Sequence, residues 1–171
     1  MLIPKLPESG AIFNSDRTRR FWLGRRVDGV DSQSRLFICA VQPSTADETE
    51  DDPTILREMG FARRWGFGWL DKVNIFDLCS PDPKTLYESS SPVSAENDSF
   101  VFAAAARGSL HLCAWGNHGA YLARGARMRR LLTGLGYQLH VFGLTKEGYP
   151  IHPLARGKMR VPDDAQPLVW R

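Results

Sequence analysis

Several residues have types and spacings suited to chemistry at a single strand-end rim. Gln42-Pro43-Ser44 ends an apolar run, and carboxylates crowd the stretch 47–52 that follows. Crowded carboxylates raise one another's pKa and can hold a cation or stabilise a cationic transition state. Asp52 precedes Pro53-Thr54 and reads as a helix N-cap. Asp47 and Asp51 have no such structural duty, so they are the better catalytic candidates. Asn74 lies in the apolar run LDKVNIF, where a buried amide must be hydrogen-bonded. It either pins a neighbouring loop or reads the edge of a base. Trp115-Gly116-Asn117-His118 turns a strand into a helix whose first N–H groups could face an anion. That helix carries Arg124, Arg127, Arg129 and Arg130, either a solvated face or a phosphate-binding one. His152 stands between Pro150 and Pro153, whose fixed φ values lower the entropy of holding an imidazole in place.

Parallel strands that end on the same side would bring these groups together. The apolar runs 35–41, 70–76, 109–115 and 137–142 read as four strands, and 20–27 as a short one broken at Gly24. Helices are expected from Pro53 to about Trp65, over 95–107, and from about Ala120 to Leu132. Alternating strands and helices predict an α/β three-layer sandwich around a central, mainly parallel four-stranded sheet. The expectation is one domain over 1–171, with 1–18 and 159–171 as irregular extensions. Ligands of such sheets bind beyond the carboxyl ends of the strands.

Composition bounds the partners. The net charge of +3 is a sum of unlike parts: residues 44–104 carry net −7 and residues 105–162 carry net +8. The basic stretch is suited to phosphate; the acidic one is not. No window is apolar enough to span a bilayer, and the first five residues lack the core of a signal peptide, so a cytoplasmic protein without a membrane partner is expected. Cys39, Cys79 and Cys113 form no CxxC pair and the four histidines no HxxxH pair, so no metal or other cofactor is expected. The cysteines read as buried, inert thiols.

In order, QPSTADETEDDPT, VNIFDLCSPDP, AWGNHG and GLTKEGYPIHPL resemble the signatures of a bacterial and phage domain-of-unknown-function family, family 1643, over about residues 20–158. Typical members read NPSTAD…DDPT, NLF, WG.HG and TK.G.P.HPL. More distantly, the arrangement is similar to the uracil-DNA glycosylase superfamily. That likeness implies a catalytic loop at Gln42-Pro43-Ser44, a base-reading Asn74 and a Trp-Gly turn at Trp115-Gly116. It also implies a His-Pro loop at His152-Pro153-Leu154, with Leu154 as a wedge. Two departures stand out: Gln42 replaces the family's Asn, and the usual Ser-Pro continuation of the His-Pro loop is missing.

The function expected is a glycosylase that cleaves the N-glycosidic bond of a modified base in DNA or a nucleotide. Gln42 would hold water and Asp47 or Asp51 would face the cationic sugar. His152 would donate to the leaving base. Pro43, Ser44, Asn74, Phe76, Trp115 and Asn117 would surround the base. His118, Arg124, Arg127, Arg130, Lys146, Leu154, Arg156 and Lys158 would meet the nucleic acid. Two other readings stay open: a non-catalytic nucleic-acid or nucleotide binder, and a metal-assisted phosphoesterase using the 47–52 carboxylates.

Overall fold

A computed structural model describes residues 3–171. Seven strands form one mixed sheet: β1 (Gly10–Phe13), β2 (Arg20–Arg26), β3 (Arg35–Ala40), β4 (Trp69–Asn74), β5 (Leu110–Ala114), β6 (Leu139–Val141) and β7 (Leu168–Val169). Their order is β1-β2-β4-β3-β5-β6-β7. The four expected strands pair in parallel as β4-β3-β5-β6. The sheet is nevertheless larger than expected and mixed. β2 runs antiparallel beside β4, β1 antiparallel beside β2, and β7 antiparallel beside β6. The supposed irregular extensions therefore contribute β1 and β7, while Met1 and Leu2 lie outside the described residues.

Helices cover both faces. Helix α1 (Pro53–Arg64) starts as its sequence dictates: Asp52 is extended at φ −86° and ψ 167°, and its side chain accepts the N–H of Ile55 at 2.9 Å. It buries Ile55, Glu58, Phe61 and Ala62 at helical spacing, and Ile55 and Ala62 pack with Leu36, Ile38, Leu70 and Leu112 of the sheet. The other face is covered by α3 (Asn97–Ala105) and α4 (Arg124–Gly134), through Val101, three alanines, Met128 and Leu132. A short helix, α2 (Thr85–Glu88), interrupts the loop after β4.

The helix expected from Ala120 begins later. Gly116–Ala123 is a 3-10 stretch that loses helical geometry at Tyr121 and Leu122, and Leu122 and Ala123 both sit at φ 51°. Regular helix starts at Arg124, so no α-helix N-terminus stands at the Trp-Gly turn.

β3 lies between β4 and β5, and the chain leaves it first to one side and later to the other. The carboxyl end of β3 is thus the switch point where open α/β sheets form a crevice. Among the described residues no helix is long and apolar enough to cross a membrane.

Candidate functional site

A cavity of about 180 Å³ opens at that rim. Three strand-end loops supply its walls: Val41, Gln42, Ser44 and Asp52 after β3, Ser80, Pro81 and Pro83 after β4, and His152 after β6. Arg20, Ala40, Lys72, Thr54 and Ile55 complete the lining. By the share of volume a water takes in the liquid, it would hold about six waters.

His152 is the best-defined donor. The backbone N–H of Leu154 donates to its Nδ1 at 3.1 Å. Burial first, and the nearby Lys72 charge second, push the imidazole pKa down to about 4. A neutral imidazole whose Nδ1 accepts must carry its proton on Nε2, so His152 faces the cavity as a hydrogen-bond donor.

Gln42 offers the opposite polarity. Its Nε2 donates to the carbonyls of Ser80 at 2.8 Å and Asp82 at 3.3 Å, which fixes the orientation of the amide. Its Oε1 is buried with no partner. Such an acceptor suits a water or a ligand N–H.

The carboxylates of 47–52 separate. Asp47 Oδ1 accepts the N–H groups of Thr49 and Glu50, and these bonds, that of Glu50 foremost, hold its pKa below the usual range. Glu48 pairs with Arg17, and Asp51 with Arg25 at 2.7 Å. Asp52 alone of this stretch lines the cavity. One of its oxygens caps α1, and the other makes no hydrogen bond with the described residues. Neither Asp47 nor Asp51 lines the cavity, whereas Asp52 both caps α1 and lines it. Among the described residues no three His, Cys, Asp or Glu side chains gather in a metal-ligating group.

The cavity floor carries residues that sequence reasoning missed. Lys72, buried in β4, forms an ion pair with Glu58 of α1, and burial raises the Glu58 pKa. Glu58 Oε2 has no partner. Arg20 is 2% exposed; one of its NH groups donates to the carbonyl of Ala46, and its Nε is unpaired. The signal was present in the sequence: a lysine in an apolar strand, and a glutamate on the buried face of a helix, each require a partner.

The other candidates are scattered. Asn74 is paired with Ala40 across β3–β4 and is buried, with Oδ1 unsatisfied. Alternation puts it on the face of Lys72, next to the cavity but outside its lining. Pro43 is buried, and its carbonyl accepts the N–H of Ser80. Phe76 and Trp115 lie in the core on the face covered by α3 and α4. Asn117 is held by Thr145 and Glu147, and His118 by the Tyr87 hydroxyl at 2.7 Å.

Arg124 is committed within the fold: buried, it pairs with Asp98 and donates to the carbonyl of Ile75. Arg127 shares Asp98, whereas Arg130 and Lys146 are exposed. Leu154, Arg156 and Lys158 stand exposed on the loop that carries His152. Cys39 and Cys113 are buried, which raises their thiol pKa values, Cys39 to about 12, as expected of inert thiols, whereas Cys79 is only partly buried.

Fold and site together define an α/β protein with a polar cavity at the switch point of its sheet. Residues 20–154 match the family described as protein of unknown function (DUF1643), and the chain belongs to that family. No curated protein and no solved structure matches it.

Proposed function

We propose that this cavity receives a modified nucleobase and that the protein hydrolyses its N-glycosidic bond. The observation that carries the reading is the convergence of His152, held as a neutral donor, Asp52 and Gln42, whose Oε1 has no partner, in the lining of one small cavity. As the C1′–N bond breaks, its electron pair leaves with the base and the sugar becomes oxocarbenium-like. His152 Nε2–H hydrogen-bonds the departing base, and the Asp52 carboxylate faces the cationic sugar. Gln42 Oε1 accepts one O–H of a water whose oxygen bonds to C1′. The other proton of that water passes to Asp52, and the base takes up a proton on release. Leu154 would fill the gap left by a flipped base, and Arg156 and Lys158 would meet phosphates.

The parallel strand set β4-β3-β5-β6 and the His-Pro loop at its rim support an elaborated uracil-DNA-glycosylase-like arrangement, with DNA or a nucleotide as partner. A second reading, a non-catalytic nucleic-acid or nucleotide binder on the same cavity, draws on Gln42, which cannot act as a base. Oligonucleotides carrying a panel of modified bases separate the two. Free base and abasic sites formed in the presence of EDTA support the glycosylase, and tight binding with no product supports the binder. Strand cleavage abolished by EDTA would overturn both in favour of metal-assisted phosphoester hydrolysis.

A further inference from the structure

A second pocket, of about 440 Å³, lies on the opposite face of the sheet, between α4 and the turn at 147–149. Its size falls within the range of small-molecule sites. One wall is Trp115, 1% exposed, whose Nε1 is buried without a hydrogen-bond partner. A buried donor left unpaired loses the hydrogen bond it would make with water. Glycine backbone packs directly on the ring: a Cβ on Gly125 would sit 2.6 Å from Nε1, and one on Gly119 would sit 2.1 Å from Cδ1. Gly125 and Trp115 both line the pocket.

The other walls are aromatic and basic. Trp170 meets Trp115 edge-on at 5.7 Å, and Tyr149 faces the same space. Arg129 lies over the Trp170 ring at 4.2 Å and donates to the carbonyl of Arg171, so it is engaged. Arg130 is exposed, and its guanidinium makes no hydrogen bond or ion pair with the described residues. The one carboxylate present, Glu147, accepts the amide of Asn117 at 3.0 Å.

We propose that this pocket binds a planar ring carrying an anionic group, as in a nucleoside monophosphate. An acceptor on the ring takes the Trp115 Nε1–H, the ring packs against Trp170 and Tyr149, and Arg130 pairs with the anion. The site shares no lining residue with the cavity at His152 and does not depend on the reading given to it.

Titrating the full chain with thymidine 5′-monophosphate and following the indole N–H signals by ¹H–¹⁵N correlation tests this. The Trp115 signal should move downfield as its N–H gains an acceptor. Trp22 and Trp65, whose Nε1 groups already donate to Asp71 and Ala165, should stay in place. Arg130→Ala alters an exposed side chain and should weaken binding about tenfold or more, one charge-assisted hydrogen bond being lost. Thymidine without its phosphate should be weakened to the same degree, and Arg63→Ala, on α1 across the sheet, should change nothing. An unmoved Trp115 signal, a shift indifferent to Arg130→Ala, or inorganic phosphate binding as well as the monophosphate would overturn the proposal.

Discussion

The backbone N–H of Leu154 hydrogen-bonds Nδ1 of His152 at 3.1 Å, and this bond determines which imidazole nitrogen serves the cavity. A backbone N–H cannot accept, so Nδ1 must be the unprotonated nitrogen and Nε2 the donor. The His-Pro turn therefore sets a tautomer as well as a position.

The His152 pKa of about 4 predicts a pH-dependent stability. In the unfolded chain the imidazole titrates near 6.5, so between 6.5 and about 4 the unfolded state binds the extra proton. Stability should thus be constant in this term above pH 6.5 and fall as pH drops toward 4, by at most roughly 3 kcal/mol. His152→Gln, which keeps a donor and does not titrate, should flatten that part of the profile in denaturant melts. A ¹⁵N spectrum at neutral pH should show Nε2 protonated and Nδ1 not.

Asp52 caps α1 and, in the proposed reaction, also faces the sugar; two substitutions separate these roles. Asn caps helices about as well as Asp, so Asp52→Asn should keep stability within a few tenths of a kcal/mol while removing the charge beside the sugar. Asp52→Ala should cost about 1 kcal/mol more through the lost cap. Both should lower the rate of base release about 10²-fold or more, the scale of one lost electrostatic contact in a transition state. Equal activity of Asp52→Asn and wild type would remove Asp52 from the chemistry.

Beneath the cavity, Lys72 and Glu58 form a buried pair. Lys72→Met alone strands the carboxylate and should cost about 3–5 kcal/mol in chemical denaturation. Combining it with Glu58→Leu should recover most of that loss. Additive losses in the double variant would show that the two are not coupled.

The exposed basic residues should divide by salt dependence. For binding to duplex DNA, Arg156→Ala and Lys158→Ala should each reduce the log–log salt slope by about 0.9. Arg124→Ala should leave the slope unchanged and lower stability instead, because its guanidinium is spent on Asp98 and Ile75.

How much of this was legible follows from where the signals lie. Apolar runs such as RLFICA gave β3 to β6 directly, because strands buried on both faces show no alternation. The same property hid which face each strand-end residue would take. Trp115 follows Ala114, which packs on the α1 side, and a single step places the indole on the other. β1 and β7 escaped notice because GAIF and LV are short and never fully buried. Gln42, Ser44 and His152 line one cavity because they all sit in loops at the carboxyl ends of parallel strands. Lys72 and Arg20 were missed because their meaning depends on partners distant in sequence. Asp52 was correctly read as a cap, but a carboxylate has two oxygens and the cap uses one.

The central claim is that Asp52 and His152 act on a nucleobase held between them. Its most direct test measures free base released from oligonucleotides carrying modified bases, in EDTA, by wild type, Asp52→Asn and His152→Ala. The account predicts release of at least one modified base by wild type, with both variants folded and about 10²-fold slower. Release that both variants sustain at the wild-type rate, or no release from any oligonucleotide in the panel, would contradict it.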